Sequence, residues 1–343
     1  MNRKWIFWIE ELGQVHNNLV GKKSANLGEI SKIGLPVPPG FAISMDAYDR
    51  FLIDSNAIEE IREYLSKYGK DPYGIESLQQ ASNNLRKIVE SKKIPKDMEE
   101  VITLHYNQLC KRTNISDVPV STRSAGAASR PGQYETYLNV RGVSDLLDKI
   151  VKVWSSSFNL RSLSTQIREG KLLEKNPISV CILKMVNARA AGVTFTADPS
   201  TGDSNKIMIE ANWGLGESVV SGNTTPDRFV LEKQSLIIKE KKLGQKKRCV
   251  LSGVIGVCEE ETPLEKVSNF CLRDEEIIEI GRLAMILEEH FNNTPQDLEW
   301  AIDAELPSPN NVILLQTRPA IVAKKKDTTE QILDQMLRCL YSR

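Results

Sequence analysis

Residues 295–319 read P-Q-D-L-E-W-A-I-D-A-E-L-P-S-P-N-N-V-I-L-L-Q-T-R-P, and three of them carry groups suited to phosphate chemistry. Glu299 and Gln316 offer oxygens, the donors that a hard cation such as Mg2+ takes. Arg318 offers a planar fork of N–H donors, which fits a phosphate gaining charge in a transition state. Alone, a Glu and an Arg on a hairpin amount to a surface ion pair, worth about 0–1 kcal/mol.

Two strands must position them. Residues 298–303 (L-E-W-A-I-D) and 312–318 (V-I-L-L-Q-T-R) flank E-L-P-S-P-N-N, whose Pro and Asn suit a hairpin loop. A period of two puts Leu298, Trp300 and Ile302 on one face and Glu299 and Ala301 on the other. The same period puts Leu314, Gln316 and Arg318 on one face. One hairpin then presents a carboxylate, an amide and a guanidinium to a common space. Residues 272–291 form an amphipathic helix leading into it, with Ile277, Ile280, Leu283, Ala284 and Leu287 on one stripe.

Two further stretches suit phosphate. In V-G-K-K-S-A-N-L-G-E-I-S (20–31) a Gly21 turn opens a helix, whose free N–H groups and positive end favour anions. Lys23 adds a point charge there. In residues 118–140, two strands flank S-A-G-A-A-S-R-P-G, where Arg123 and Arg130 could pair with a polyphosphate. Residues 46–110 are helical in pattern and read as scaffold. S-V-C-I-L-K-M-V (179–186) is a buried strand with Lys184 inside it. Residues 190–199, 206–222 and 225–233 supply further strands, and 234–266 an exposed hairpin and loop. G-L-G-E (214–217) lacks the third Gly of a dinucleotide fingerprint.

The 45 basic residues balance 45 acidic ones, which argues against a general nucleic-acid binder. No apolar run is long enough to span a bilayer. W-I-F-W-I at the start is followed at once by Glu10 and Glu11 and suits a first strand better than a signal sequence. The six scattered cysteines form no C-x-x-C pair and suit reduced thiols in a cytoplasmic protein. No metal-ligand spacing links His16, His105 and His290.

Taken in order, G-K-K-S-A-N-L-G-E, G-L-P-V-P-P-G-F, R-S-A-G-A-A-S-R-P-G-Q-Y-E-T-Y-L-N-V, I-L-K-M-V, A-G-V-T-F-T-A-D-P, E-A-N-W-G-L-G-E-S-V-V-S-G, T-P-D-R-F, Q-D-L-E-W-A and L-L-Q-T-R-P resemble one family. It is the nucleotide-binding domain of phosphoenolpyruvate synthases, pyruvate phosphate dikinases and rifampin phosphotransferases, matched over roughly 13–322. The resemblance implies an α+β ATP-grasp fold holding ATP and Mg2+ between two lobes, residues 1–178 and 179–322, with a linker and helix over 323–343. It implies that Lys23 and Arg123 contact the nucleotide phosphates, with Thr136 near them. It assigns Leu183, Lys184, Met185 and Val186 to the base, Glu299 and Gln316 to the metal, and catalysis to Arg318 with Lys23 and Arg123.

Two departures stand out. The loop at 125–132 is short and has no acidic residue, closer to the dikinase version. None of the three histidines sits in a T-x-H-x-S-like context, although the family passes its phosphoryl group through a histidine. The resemblance then implies a separate subunit carrying that histidine. In this the chain is similar to the ATP-binding subunit of phenylphosphate synthase, which serves phosphorylation of phenol with release of AMP and phosphate. A split synthase acting on pyruvate or an antibiotic, or a non-catalytic nucleotide sensor, is the alternative. The sensor could dispense with Arg318, which is present.

Overall fold

The computed structural model describes residues 4–67, 75–126, 134–171, 173–174, 176–254 and 256–323. The expected linker and helix over 323–343, apart from Ala323, lie outside the described residues, as do Arg130 and the rest of the loop at 125–132 after its first two residues.

The first sheet contains β1 (Ile6–Trp8), β2 (Gly40–Ile43), β3 (Val120–Ala125), β4 (Thr136–Val140) and β5 (Ser179–Lys184). Their order is β1-β2-β5-β3-β4, antiparallel throughout. The chain then builds β6 (Ala188–Phe195), β7 (Lys206–Trp213), β8 (Asp227–Glu232) and β9 (Ile238–Lys242). A separate hairpin, β10 (Arg248–Ser252) and β11 (Val257–Glu261), follows, and then β12 (Gln296–Asp303) and β13 (Val312–Pro319). The second sheet has the order β13-β12-β6-β7-β8-β9, again antiparallel. This mixed architecture of helices and two sheets agrees with the expected α+β, ATP-grasp-like class.

Alternation along β2 and β5 feeds two cores. Phe41, Ile43, Val180 and Ile182 pack under the helices, against Tyr48, Phe51 and Trp154. Phe51 and Trp154 stack with ring centroids 4.7 Å apart. Ala42, Cys181 and Leu183 face the other way, into a core shared with the helix Asn17–Lys32 and the second sheet. That core takes Leu298, Trp300, Ile302, Val312 and Leu314 from the hairpin. Burying each such large aliphatic side chain contributes roughly 1.5–3 kcal/mol.

Strand β5 was expected to open the second lobe at residue 179. It lies instead at the centre of the first sheet, between β2 and β3. The chain passes to the second sheet at residues 185–187. A strand buried on both faces has no polar side to mark which sheet it joins. Among the described residues, no helix is long and apolar enough to cross a membrane.

Candidate functional site

Strands β12 and β13 pair Asp297 with Arg318 and Glu299 with Gln316, but Trp300 with Leu314. Leu315 is therefore an extra residue, a β-bulge. The bulge corrects the simple alternation: Leu314 joins Trp300 in the core, whereas Gln316 joins Glu299 on the opposite face. Glu299, Gln316 and Arg318 do share a face, and Asp297 shares it with them. Gln316 Nε2 donates to Glu299 Oε1 at 2.9 Å. Arg318 Nε and Nη2 lie 2.7 and 2.6 Å from Asp297 Oδ2. Burial pushes the Asp297 carboxyl above the usual range, although Arg318 pulls it down. Asp297 lies one residue before the alternating run 298–303, inside β12. Its spacing of two from Glu299 was the available signal.

The first sheet delivers Arg123. On β3 it pairs with Cys181 of β5, on the face turned toward the second sheet. Arg123 Nη2 lies 2.9 Å from Glu299 Oε2 and 3.4 Å from Gln316 Oε1. Arg123 Nη1 donates to the carbonyl of Leu315 at 3.0 Å. On the outer side of β13, the edge strand of its sheet, Leu314 N donates to Pro36 O at 2.8 Å. The two bonds tie the hairpin to other parts of the chain.

Lys23 comes from the helix Asn17–Lys32. Gly21 breaks that helix at φ 73°, so a straight run begins only after it. A Cβ at Gly21 would lie 2.6 Å from the carbonyl carbon of Ala125, which leaves room for glycine alone. Lys22 N then donates to Gly126 O at 3.1 Å. Asn26 Nδ2 donates to Thr317 O at 2.9 Å and ties the helix to β13. Burial, then the Arg123 guanidinium, hold the Lys23 ammonium down at about 8, while Glu299 opposes them. Burial also raises the Cys181 thiol nearby.

Beside these charges lies a small apolar patch of Val186, Ala191, Ala301 and Ile313, flanked by Ala188 and Leu315. Ala301 is two residues from Glu299 on β12, so the patch and the carboxylate share a face. The residues expected at the base are divided. Val186 belongs to the patch, and Met185 N donates to Pro119 O at 2.8 Å. Leu183 is buried between the sheets. Lys184 pairs with Val120 and shares the helix-covered face of Val180 and Ile182, opposite to that of Arg123. Thr136 is the exposed cross-strand partner of Arg123. It also borders a cavity of about 210 Å³ lined by Asn139, Asp145, Lys149 and Glu217. That cavity includes none of Lys23, Arg123, Glu299 or Gln316.

The donor set fits magnesium. Oxygens of Glu299 and Gln316 converge on one point, occupied by Arg123 Nη2. Among the described residues, no three His, Cys, Asp or Glu side chains group to hold a metal by themselves. Magnesium commonly takes one or two carboxylates and completes its shell with phosphates and water. The histidines are engaged elsewhere. His16 Nδ1 accepts from Gly13 N at 3.1 Å, His105 packs against Trp8 and Phe41, and His290 Nε2 lies 3.6 Å from Glu29.

The family model described as the pyruvate phosphate dikinase AMP/ATP-binding domain matches residues 17–338. The probable phosphoenolpyruvate synthase of Pyrococcus horikoshii is 34% identical, over 97% of this chain and 45% of the relative. The phosphoenolpyruvate synthase of Pyrococcus furiosus is 33% identical, over 96% of this chain and 45% of its own length. That of Aeropyrum pernix is 34% identical, over 96% and 44%. The chain spans less than half the length of these relatives.

Proposed function

Since the chain belongs to the pyruvate phosphate dikinase AMP/ATP-binding domain family, we propose that its site holds ATP with Mg2+ and phosphorylates a histidine supplied by a partner subunit. The observation that carries this reading is the meeting of Arg123, from one sheet, with Glu299 and Gln316, from the other. Opposed lobes that contribute cations and oxygen ligands to one point suit a polyphosphate with its metal. When bound, magnesium neutralises charge on the phosphate oxygens.

The chain's own residues do the rest. Lys23 and Arg123 bind the phosphates, Glu299 and Gln316 fix the metal, and the apolar patch of Val186 and Ala191 takes the base. Arg318, held by Asp297, faces the charge that develops during transfer. In the reaction, an imidazole nitrogen of the partner attacks the β-phosphorus, and the bond to the α,β-bridging oxygen breaks. AMP leaves with that oxygen. Water then removes the terminal phosphate, and the phosphohistidine passes its phosphoryl group to a small acceptor. The engagement of His16, His105 and His290 outside the site supports a phosphoryl-accepting histidine other than these three.

For the acceptor we propose phenol, giving phenylphosphate. A second acceptor, pyruvate giving phosphoenolpyruvate, is favoured by the names of the relatives. Phosphorus NMR of ATP incubated with the chain, a candidate histidine subunit and either acceptor tests these readings. AMP, phosphate and phenylphosphate are expected only from the mixture containing phenol. AMP and phosphate with phosphoenolpyruvate would move the acceptor to pyruvate. No ATP turnover in any mixture would contradict phosphotransfer itself.

A further inference from the structure

Arg123 occupies the point on which the metal-binding reading depends. Its Nη2 lies 2.9 Å from Glu299 Oε2 and 3.4 Å from Gln316 Oε1. A magnesium ion held by the same oxygens would stand about 2.0–2.1 Å from each. The guanidinium nitrogen and the ion therefore claim one place, and the two arrangements exclude each other. Gln316 Nε2, bonded to Glu299 Oε1 at 2.9 Å, holds the oxygen pair together in either case. Apart from Glu299 and Gln316, Arg123 is held by the carbonyl of Leu315.

We propose that Arg123 is an exchangeable counter-ion: it pairs with Glu299 and Gln316 until a divalent cation takes these oxygens, and the released guanidinium then binds the nucleotide phosphates. This rests on the ATP reading above. It adds that cation and nucleotide are coupled through one side chain. Glu299 exchanges a guanidinium for a metal ion, and Arg123 exchanges a carboxylate for phosphate oxygens, so no charge is left without a partner at either end. A metal-free nucleotide has to compete with Glu299 for Arg123. A metal ion without nucleotide has to displace Arg123 with no phosphate ready to receive it.

The test is a double-mutant cycle read by calorimetry with AMP-PNP, in EDTA and in magnesium. The proteins are the native chain, Glu299→Gln, Arg123→Met and the double variant, each checked for a cooperative circular-dichroism melt. In EDTA, Glu299→Gln should bind AMP-PNP about tenfold more tightly than the native chain, a coupling of ordinary size. The same substitution in the Arg123→Met background should bring little gain. Manganese binding without nucleotide, followed by electron paramagnetic resonance, should strengthen in Arg123→Met. Equal gains in both backgrounds would mean simple repulsion between Glu299 and phosphate, and would overturn the exchange. So would unchanged affinity in Glu299→Gln or unchanged manganese binding in Arg123→Met. Failure of the native chain to bind AMP-PNP with magnesium would overturn the ATP reading as well.

Discussion

Asp227 and Lys246 form an ion pair whose side chains are both 0% exposed, whereas Arg123 and Glu299 keep 14% and 18% of theirs. The first pair is completed by the backbone. Gly244 N donates to Asp227 Oδ1 and Cys271 N to Oδ2, each at 2.8 Å. The second is completed by the Gln316 side chain and one carbonyl, and it joins the two sheets. Asp227 also holds two chain segments in place, so its carboxylate cannot move without unfolding them. Among the described residues, the partners of the Glu299 carboxylate are the side chains of Arg123 and Gln316, each of which can turn away. An ion pair closed by the backbone is built to persist, and one closed by side chains between two sheets can be exchanged.

The largest expected effect lies in the persistent pair. Asp227→Asn leaves the Lys246 ammonium buried without its counter-charge, which should cost about 3–5 kcal/mol of stability. Urea denaturation followed by circular dichroism would measure it. A loss below about 1 kcal/mol, the scale of an exposed pair, would remove the contrast between the two clusters.

Arg318→Ala should leave AMP-PNP binding near native and lower transfer to a histidine partner by about 10²-fold, the scale of one preorganised transition-state contact. The motivation is its place beside Gln316 on the exchangeable side, anchored to Asp297. Transfer at the native rate would remove Arg318 from catalysis.

A smaller effect concerns pH. Lys23 is held at about 8, below its ordinary 10.5, by burial and by Arg123. Between those values the unfolded lysine carries more protons than the folded one, so this group makes stability rise with pH over that window. Nucleotide binding should run the other way. Phosphates favour the ammonium, so binding should take up a proton near pH 8, and affinity should fall as pH rises above it. Calorimetry in buffers of different ionisation enthalpy would detect the uptake, and Lys23→Met should abolish it. Equal uptake in that variant would place the proton on another group.

The chemical face of the hairpin was legible because Leu298, Trp300 and Ile302 alternate with Glu299 and Ala301, and only one of those faces can enter a core. The bulge at Leu315 was not. V-I-L-L-Q-T-R contains no glycine or proline to mark an extra residue, and the register is set by partners elsewhere. The place of β5 was hidden because both of its faces are buried. Gly21 was legible as a turn, but not the close approach to Ala125 that requires it. The contact between Arg123 and Glu299 spans 176 positions and has no local signature. It arises only when the two sheets come together.

The most direct test of the site is magnesium-dependent binding of AMP-PNP to the native chain and to the double variant Glu299→Ala, Gln316→Ala. The native chain should bind more tightly with magnesium than with EDTA. The double variant should keep its cooperative melt and lose that enhancement. The same enhancement in the double variant would place the metal away from these two oxygens and contradict the site described here.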